Sequence, residues 1–253
     1  MTTRFRKAGL FLLIAVVSWT GCQQDPKLLR ERHFRAGEKA TEQEKHLEAE
    51  IHFRNAVKAD PDFTAGHYYL GLTNRKLGRI PEAARAFQQT LDLDAEHAGA
   101  ALELGEIYLM ANQSQRAREL AEGILNREEQ NFPARILLAK SYLGEKNFSL
   151  AKVEFEKAKR LEPDNVAVHL AIGIAEIGLG RPAAAEDHFK RALELDQARV
   201  EAYQNLANLY LGLNRLAEAE QVLKKGTKNS SDNTKMHLAL ADFYYRTGRL
   251  EKT

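Results

Sequence analysis

The sequence predicts an all-α protein in which helical hairpins stack into a solenoid. Two amphipathic stretches separated by a turn lie between Phe132 and Asn165, and the second of them ends at Pro163, which cannot continue a helix. The same pattern recurs along the chain every 34 residues without insertion or deletion, so chance does not explain it. A single hairpin buries little surface, and stacked neighbours supply the missing contacts.

The recurrence defines seven repeats, numbered 1 to 7. Position 8 of every repeat is Gly or Ala, and position 20 of every complete repeat is Ala. Small residues at these positions let two helices approach closely, while larger neighbours fill the remaining space. Because the last repeat holds only its first 20 positions, we expect six complete repeats and a partial seventh within residues 30–253. The repeats begin at Arg30, Thr64, Ala98, Phe132, Val166, Val200 and Thr234.

The repeated residues resemble the tetratricopeptide-repeat (TPR) family. Its pattern of large, small and aromatic residues is present as Tyr203, Leu206, Ala207, Tyr210 and Ala219. The resemblance implies a right-handed superhelical solenoid of TPR helix-turn-helix hairpins whose first helices line a concave groove for protein partners. At position 11, where the family usually has an aromatic residue, three repeats differ; they have Ala40, Asn74 and Glu176.

The first 21 residues have the composition of a secretory signal peptide. Arg4, Arg6 and Lys7 precede an apolar run of 12 residues, from Ala8 to Trp19, and small residues follow it. A run of this length is too short to cross a bilayer as a helix, which takes about 20 residues. We therefore expect residues 1–21 to be removed during export.

Cys22, the only cysteine, follows a small residue in a way that resembles the bacterial lipobox. That resemblance implies a lipidated Cys22 at the mature N-terminus, followed by a tether to residue 29. Trp19 departs from the lipobox pattern, and a plain secreted protein with an incidental cysteine is the alternative. Gln23 stands where an Asp would resemble an inner-membrane retention signal. The expected location is the periplasmic side of a bacterial cell envelope, with the outer membrane favoured in a Gram-negative cell.

The charge balance gives no indication of a nucleic-acid partner. The chain has 37 Lys and Arg against 35 Asp and Glu, and removal of the signal takes away three of the basic residues. The remainder is close to neutral, so it lacks the long-range field that attracts nucleic acid. We expect contact with a membrane through the lipid anchor only.

The histidines fit packing positions better than a metal site. Four lie at position 4 and two share position 23, and no His or Cys pair has the spacing of a metal-binding motif. Nor is there a nucleophile with a convincing base and orienting group. We therefore expect no enzyme activity, no cofactor and no metal. The six histidines at shared positions are His33, His67, His169 and His237, then His52 and His188.

Positions 2, 5, 9 and 12 of each first helix fall on one side of that helix, which we call the groove face. In the middle repeats it is mostly apolar, which favours a protein partner that presents an apolar helix or an extended segment. The alternative is that these residues pack against the next repeat. The predicted binding residues, which include Met110 at position 13 next to the groove face, are Tyr68, Leu102, Glu106, Leu109, Met110, Ile136, Lys140, Leu143, Leu170, Ile174 and Ile177.

These expectations combine into a lipid-anchored, non-catalytic scaffold. Lipidated TPR proteins of this size resemble two groups, pilus or secretin assembly factors and exopolysaccharide or exosortase-associated assembly proteins. The repeat residues do not distinguish the two. Because repeat 7 stops at its twentieth position, a second hypothesis is that the chain is the N-terminal TPR part of a longer protein with a catalytic or other effector domain.

Processing can be tested directly at Cys22. Cells that express the protein should yield a membrane-associated form labelled by a fatty-acid probe, and Cys22→Ser should abolish the label because the thiol is the acceptor. The mature form should also lack tryptophan fluorescence, since Trp19 is the only tryptophan. Tryptophan emission from purified membrane-associated protein would contradict cleavage.

Overall fold

The computed structural model describes residues 25–230 and 232–249, so the predicted signal peptide and Cys22 lie outside the described residues. Within them the chain forms thirteen α-helices and no strand, which confirms the all-α prediction. Odd-numbered helices are the first helices of the repeats and even-numbered helices the second. Their bounds are α1 Pro26–Glu42, α2 His46–Ala59, α3 Thr64–Lys76, α4 Ile80–Leu93, α5 Ala98–Met110, α6 Ser114–Leu125, α7 Phe132–Gly144, α8 Phe148–Leu161, α9 Val166–Gly178, α10 Pro182–Leu195, α11 Val200–Gly212, α12 Leu216–Asn229 and α13 Asn233–Arg246.

The helix starts follow the sequence period closely. The first helices of repeats 2 to 6 begin at the first position of the repeat, and all six second helices begin at position 17. Helix α1 is different, because it begins at Pro26 rather than Arg30. The Asp25 side chain accepts a hydrogen bond from the Lys27 N–H at 2.9 Å, and proline suits the first helical position. Residues 26–29, which were predicted to belong to the tether, therefore lie within α1.

Contacts divide the described residues into two compact parts, the first ending at Phe63 and the second beginning at Thr64. In the first, α1 and α2 form one hairpin around Phe53, which is fully buried. The ring of Phe34 lies 5.6 Å from that of Phe53 and 5.0 Å from that of Phe63. An ion pair of 2.7 Å joins Arg30 of α1 to Asp60, the residue that directly follows α2.

In the second part, the hairpins of repeats 2 and 5 are held by contact between position 8 of the first helix and position 24 of the second, whereas in repeat 3 Gly105 faces Leu137 of the next repeat. A Cβ atom built on Gly173 would lie 2.3 Å from the ring of Phe189, and one built on Gly71 would lie 2.6 Å from the ring of Phe87. Both rings are fully buried. The absence of a side chain on the first helix thus makes room for the aromatic ring on the second.

The turn between the two helices uses the same backbone conformation in every repeat. Position 15 has a positive φ throughout, near 70° at the glycines and between 56° and 58° at Glu44, Asn112, Lys146 and Asn214. This left-handed residue ends the first helix, and the next N–H bonds back to the carbonyl at position 11. Glycine relieves the strain at three of these turns, Gly78, Gly180 and Gly248.

Polar contacts join repeats 5 and 6 through position 21 of the first and position 11 of the second. The Tyr210 hydroxyl donates to Glu186 at 2.8 Å, and Arg215 donates to the same carboxylate at 2.6 Å. The hydrogen bond from Arg215 is the main reason that the pKa of Glu186 falls to about 2. The next boundary repeats the arrangement, with Tyr244 and Arg249 on Glu220 at 3.0 and 2.9 Å.

The boundary between repeats 4 and 5 uses the same positions with different residues. Position 21 is Lys152, and it forms an ion pair with Glu176 at position 11, whose side chain is only 2% exposed. Arg181, the counterpart of Arg215, lies 3.9 Å from the Glu176 carboxylate. Glu176 occupies position 11, where the TPR family usually has an aromatic residue. Its partner across the boundary is the cation Lys152 rather than a carboxylate, and an acidic residue matches that partner.

Among residues 25–230 and 232–249, no helix combines the length and the apolar composition that a bilayer crossing requires.

A paired substitution tests the link between positions 21 and 11. Lys152→Glu would place a second carboxylate beside buried Glu176 and should lower the free energy of unfolding by about 3 kcal/mol, the typical effect of breaking a buried ion pair. Adding Glu176→Tyr should restore most of this loss, because the two changes recreate the residue set of Glu186, Tyr210 and Arg215. Urea unfolding would measure both effects, and a double variant as unstable as Lys152→Glu would refute the pairing.

Candidate functional site

The groove faces of neighbouring first helices lie side by side within Thr64–Thr253. Lys140 and Glu106, at position 9 of adjacent repeats, form an ion pair of 2.8 Å between side chains that are 45% and 40% exposed. Because the helices start in the same register, equivalent positions come next to each other along the stack. The groove face is therefore a continuous surface through the middle repeats.

Three of the predicted binding residues are open to solvent with large apolar side chains. Met110 is 64% exposed, Ile174 is 43% exposed and Ile177 is 46% exposed. The described helices leave at least two-fifths of the surface of each of these residues open. Their exposure is what the binding hypothesis requires, and their contact with a partner stays a prediction.

Five others serve as packing residues while keeping part of their surface exposed. Leu102 and Leu109 pack on buried residues of α7, and Ile136 and Leu143 pack on the cluster that contains Val168 and Ile172. The ring of Tyr68 lies 4.5 Å from that of His97. Much of the surface of these five residues is therefore used in packing within the solenoid, as the alternative hypothesis states.

Leu170 does not belong to the open surface. The prediction that it would be accessible is wrong, because its side chain is only 6% exposed. It belongs to the core cluster that also contains Tyr203 and Leu206 of repeat 6. Bulky residues of repeat 6 enclose the Leu170 side chain. The sequence position of Leu170 predicted only which side of α9 it faces, and not what lies opposite.

Charged groups concentrate where the groove face passes through repeats 2 to 4. Arg75 pairs with Glu103 across the repeat boundary, and Lys140 pairs with Glu106 one repeat later. Burial raises the pKa of Glu103, and Arg75 opposes this effect. This end of the surface can therefore form ion pairs with a ligand, while the region of Ile174 and Ile177 can only offer apolar contact.

Two exposed residues of repeat 7 were missed by the sequence analysis. Leu238 is 65% exposed and Tyr245 is 72% exposed, and they lie on α13 at positions 5 and 12 of repeat 7. Positions 5 and 12 of repeat 5 were predicted as Leu170 and Ile177, so continuing that register into repeat 7 would have found Leu238 and Tyr245. The apolar surface thus resumes beyond the polar residues of repeat 6.

A cleft of about 310 Å³ lies between α11 and α13 and interrupts the apolar surface. Its walls include the amides of Gln204, Asn205 and Asn208 and the pair formed by Asp242 and Arg246 at 3.5 Å. Amides offer both donors and acceptors, which suits the backbone of a bound peptide segment. The cleft is suited to binding, and within the described residues no three His, Cys, Asp or Glu side chains gather to hold a metal ion.

Comparison with known proteins places these features in a family. Residues 15–169, more than half of the chain, match the family described as "Cytochrome c-type biogenesis protein H TPR domain". Residues 176–237 match the family described as "Tetratricopeptide repeat". Among curated proteins, Superkiller protein 3 of Schizosaccharomyces pombe is 27% identical over 118 residues, which span 44% of this chain and 8% of that protein.

Several solved structures share the fold. A TPR protein from Parabacteroides merdae is 17% identical, with a TM-score of 0.79 over 89% of both chains. PilW, described as a type IV pilus biogenesis factor, is 13% identical, with a TM-score of 0.71 over 83% of this chain and 98% of its own. MamA from Desulfovibrio magneticus RS-1 is 19% identical, with a TM-score of 0.63 over 68% of this chain and 97% of its own. At these identities the likeness shows the fold alone.

The division between core and open surface predicts opposite results for neighbouring residues. Leu170→Ala should lower the free energy of unfolding by about 2–5 kcal/mol, because it leaves a cavity in a packed cluster. Ile174→Ala should change it by less than about 1 kcal/mol, because that side chain is already half in water. Denaturant unfolding of both variants measures the difference, and equal losses would show that Ile174 is also core.

Proposed function

Because this chain belongs to the TPR family described as the cytochrome c-type biogenesis protein H TPR domain, we propose that it is a non-catalytic scaffold anchored by lipid in the bacterial cell envelope. In this role it holds protein partners on its groove face and supports assembly of an envelope or export complex. TPR repeat proteins are in general protein-binding scaffolds. The lipid anchor and the envelope location rest on the signal sequence and Cys22.

The observation that supports partner binding is the set of exposed apolar side chains on one face. Five large apolar side chains are exposed on the first helices of repeats 3, 5 and 7, and two of them, Ile177 and Tyr245, share position 12. Their burial against a partner would stabilise a complex by about 1.5–3 kcal/mol for each fully covered side chain. The residues with this property are Met110, Ile174, Ile177, Leu238 and Tyr245.

The residues of the groove face indicate which chemical groups a partner would present. Exposed isoleucines in repeat 5 favour the apolar side of a helix or of an extended segment. The amides of Gln204 and Asn208 in the next repeat lie beside the cleft and can bond peptide groups. Charged pairs at Glu103 and Glu106 favour a partner whose other end is polar.

An assembly role is supported by the names of two similar proteins. The matched family is named for cytochrome c biogenesis, and PilW is a type IV pilus biogenesis factor. In both names the stated role is the building of another structure. We extend that class of role to this chain, with the identity of the assembled complex left to experiment.

Two charged substitutions on the groove face test the proposal. Ile174→Asp combined with Ile177→Asp should weaken capture of partners from a cell-envelope extract about a hundredfold, on the order of 3 kcal/mol, because both side chains would lose apolar contact. Helical circular dichroism should stay unchanged. Quantitative pull-down with increasing bait concentration measures the loss.

The chain offers a closely matched control on α8. Leu150 and Val153 have the same spacing and are 43% and 47% exposed, but they lie on a second helix. Leu150→Asp with Val153→Asp should leave capture unchanged. If this control pair abolished capture while the groove pair kept it, the binding surface would be the second helices and the groove proposal would be wrong.

A further inference from the structure

Positions 4 and 23 meet inside a hairpin, and in two repeats both positions are histidine. In repeat 4 the contact is a buried ion pair between Arg135 and Glu154 at 2.7 Å. In repeat 5 the Nδ1 atoms of His169 and His188 lie 3.3 Å apart, with ring centroids 5.6 Å apart. The sequence pattern explained these histidines as packing residues, but it did not show that their nitrogens face each other.

A backbone carbonyl selects the tautomer of the neutral His169 ring. Its Nε2 atom lies 2.9 Å from the carbonyl oxygen of Pro163, and a carbonyl can only accept. In the neutral ring Nε2 therefore holds the hydrogen, and the lone pair of Nδ1 points toward His188. A hydrogen bond from the second ring nitrogen to a backbone carbonyl is also how metal-binding histidines are commonly oriented.

The spacing of the two nitrogens fits a shared metal ion. Zinc binds imidazole nitrogen at about 2.0–2.1 Å, so two such ligands at a tetrahedral angle are about 3.3 Å apart. We propose that His169 and His188 bind a transition-metal ion of the Zn²⁺ class through their Nδ1 atoms. His33 and His52, whose Nδ1 atoms are 3.5 Å apart, form a second site of the same kind in repeat 1.

The surroundings favour the neutral imidazole that a metal ion requires. Burial lowers the pKa of His188, Lys159 and His169 lower it further, and Glu156 and Glu176 act in the opposite direction. Burial also lowers the pKa of His33. Because no group of three protein ligands gathers among the described residues, water completes the coordination of the ion.

Without the ion, the same two atoms can share a hydrogen bond, with Nδ1–H of His188 donating to Nδ1 of His169. The metal-bound pair and the hydrogen-bonded pair use the same two nitrogen atoms, so the experiment has to distinguish these two states. If the pair binds an ion, removal of one of its histidines ends metal binding at that site. If the pair forms only a hydrogen bond, the same removal changes stability and zinc has no effect.

Zinc binding by tag-free protein, measured by isothermal titration with ZnCl₂ at neutral pH, tests the proposal. The unaltered protein should bind two ions per chain, His188→Ala one, His52→Ala one, and the double variant none. His188→Ala should fold, because position 23 is already alanine in repeat 2, at Ala86. His237→Ala, which removes an exposed histidine of α13, should still bind two ions and serves as the control.

Thermal unfolding gives an independent readout. Zn²⁺ should raise the melting temperature of the unaltered protein and of His237→Ala but not that of the double variant. A loss of uptake in His188→Ala but not in His52→Ala would keep the repeat 5 site and overturn the repeat 1 site. No saturable uptake by the unaltered protein, or uptake that survives in the double variant, would overturn the proposal.

Discussion

The contact between a small residue at position 8 and a large one at position 24 is the constraint on which the hairpins with a phenylalanine at position 24 depend. At Gly71 against Phe87 and Gly173 against Phe189, the ring lies so close to the first helix that no room is left for a Cβ atom. Where position 8 is Ala139, the ring of Phe155 still fills the space, and both side chains are buried. With the helices fixed at this distance, the side chains at positions 4 and 23 have to meet as well.

The helical architecture could be predicted from the sequence because periodicity reports register directly. The helix starts at Thr64, Ala98, Phe132, Val166 and Val200 follow from the period alone. The start of α1 could not be derived in this way, because it depends on a local cap at Asp25 rather than on the repeat.

Side-chain environments were less predictable, because periodicity states which side of a helix a residue faces and not what lies opposite. Leu170 and Ile174 both face the groove, yet one is enclosed by repeat 6 and the other is open. Pairs across repeats were equally hidden: Glu176 was recognised as a departure from the aromatic pattern, but its reason lies 24 residues earlier at Lys152. Comparing position 21 with the next position 11 would have revealed it.

That pairing also limits how the number of repeats can change during evolution. Loss of residues 200–233 would bring Glu186 opposite Tyr244 and Arg249, which are the residue types that it already contacts. Loss of residues 166–199 would instead leave Lys152 facing a tyrosine and an arginine, with no carboxylate at that boundary. Duplication or deletion of repeat 6 in one step would therefore keep the contacts at the repeat boundaries. Separation of repeats 4 and 5 would instead remove the ion pair between Lys152 and Glu176.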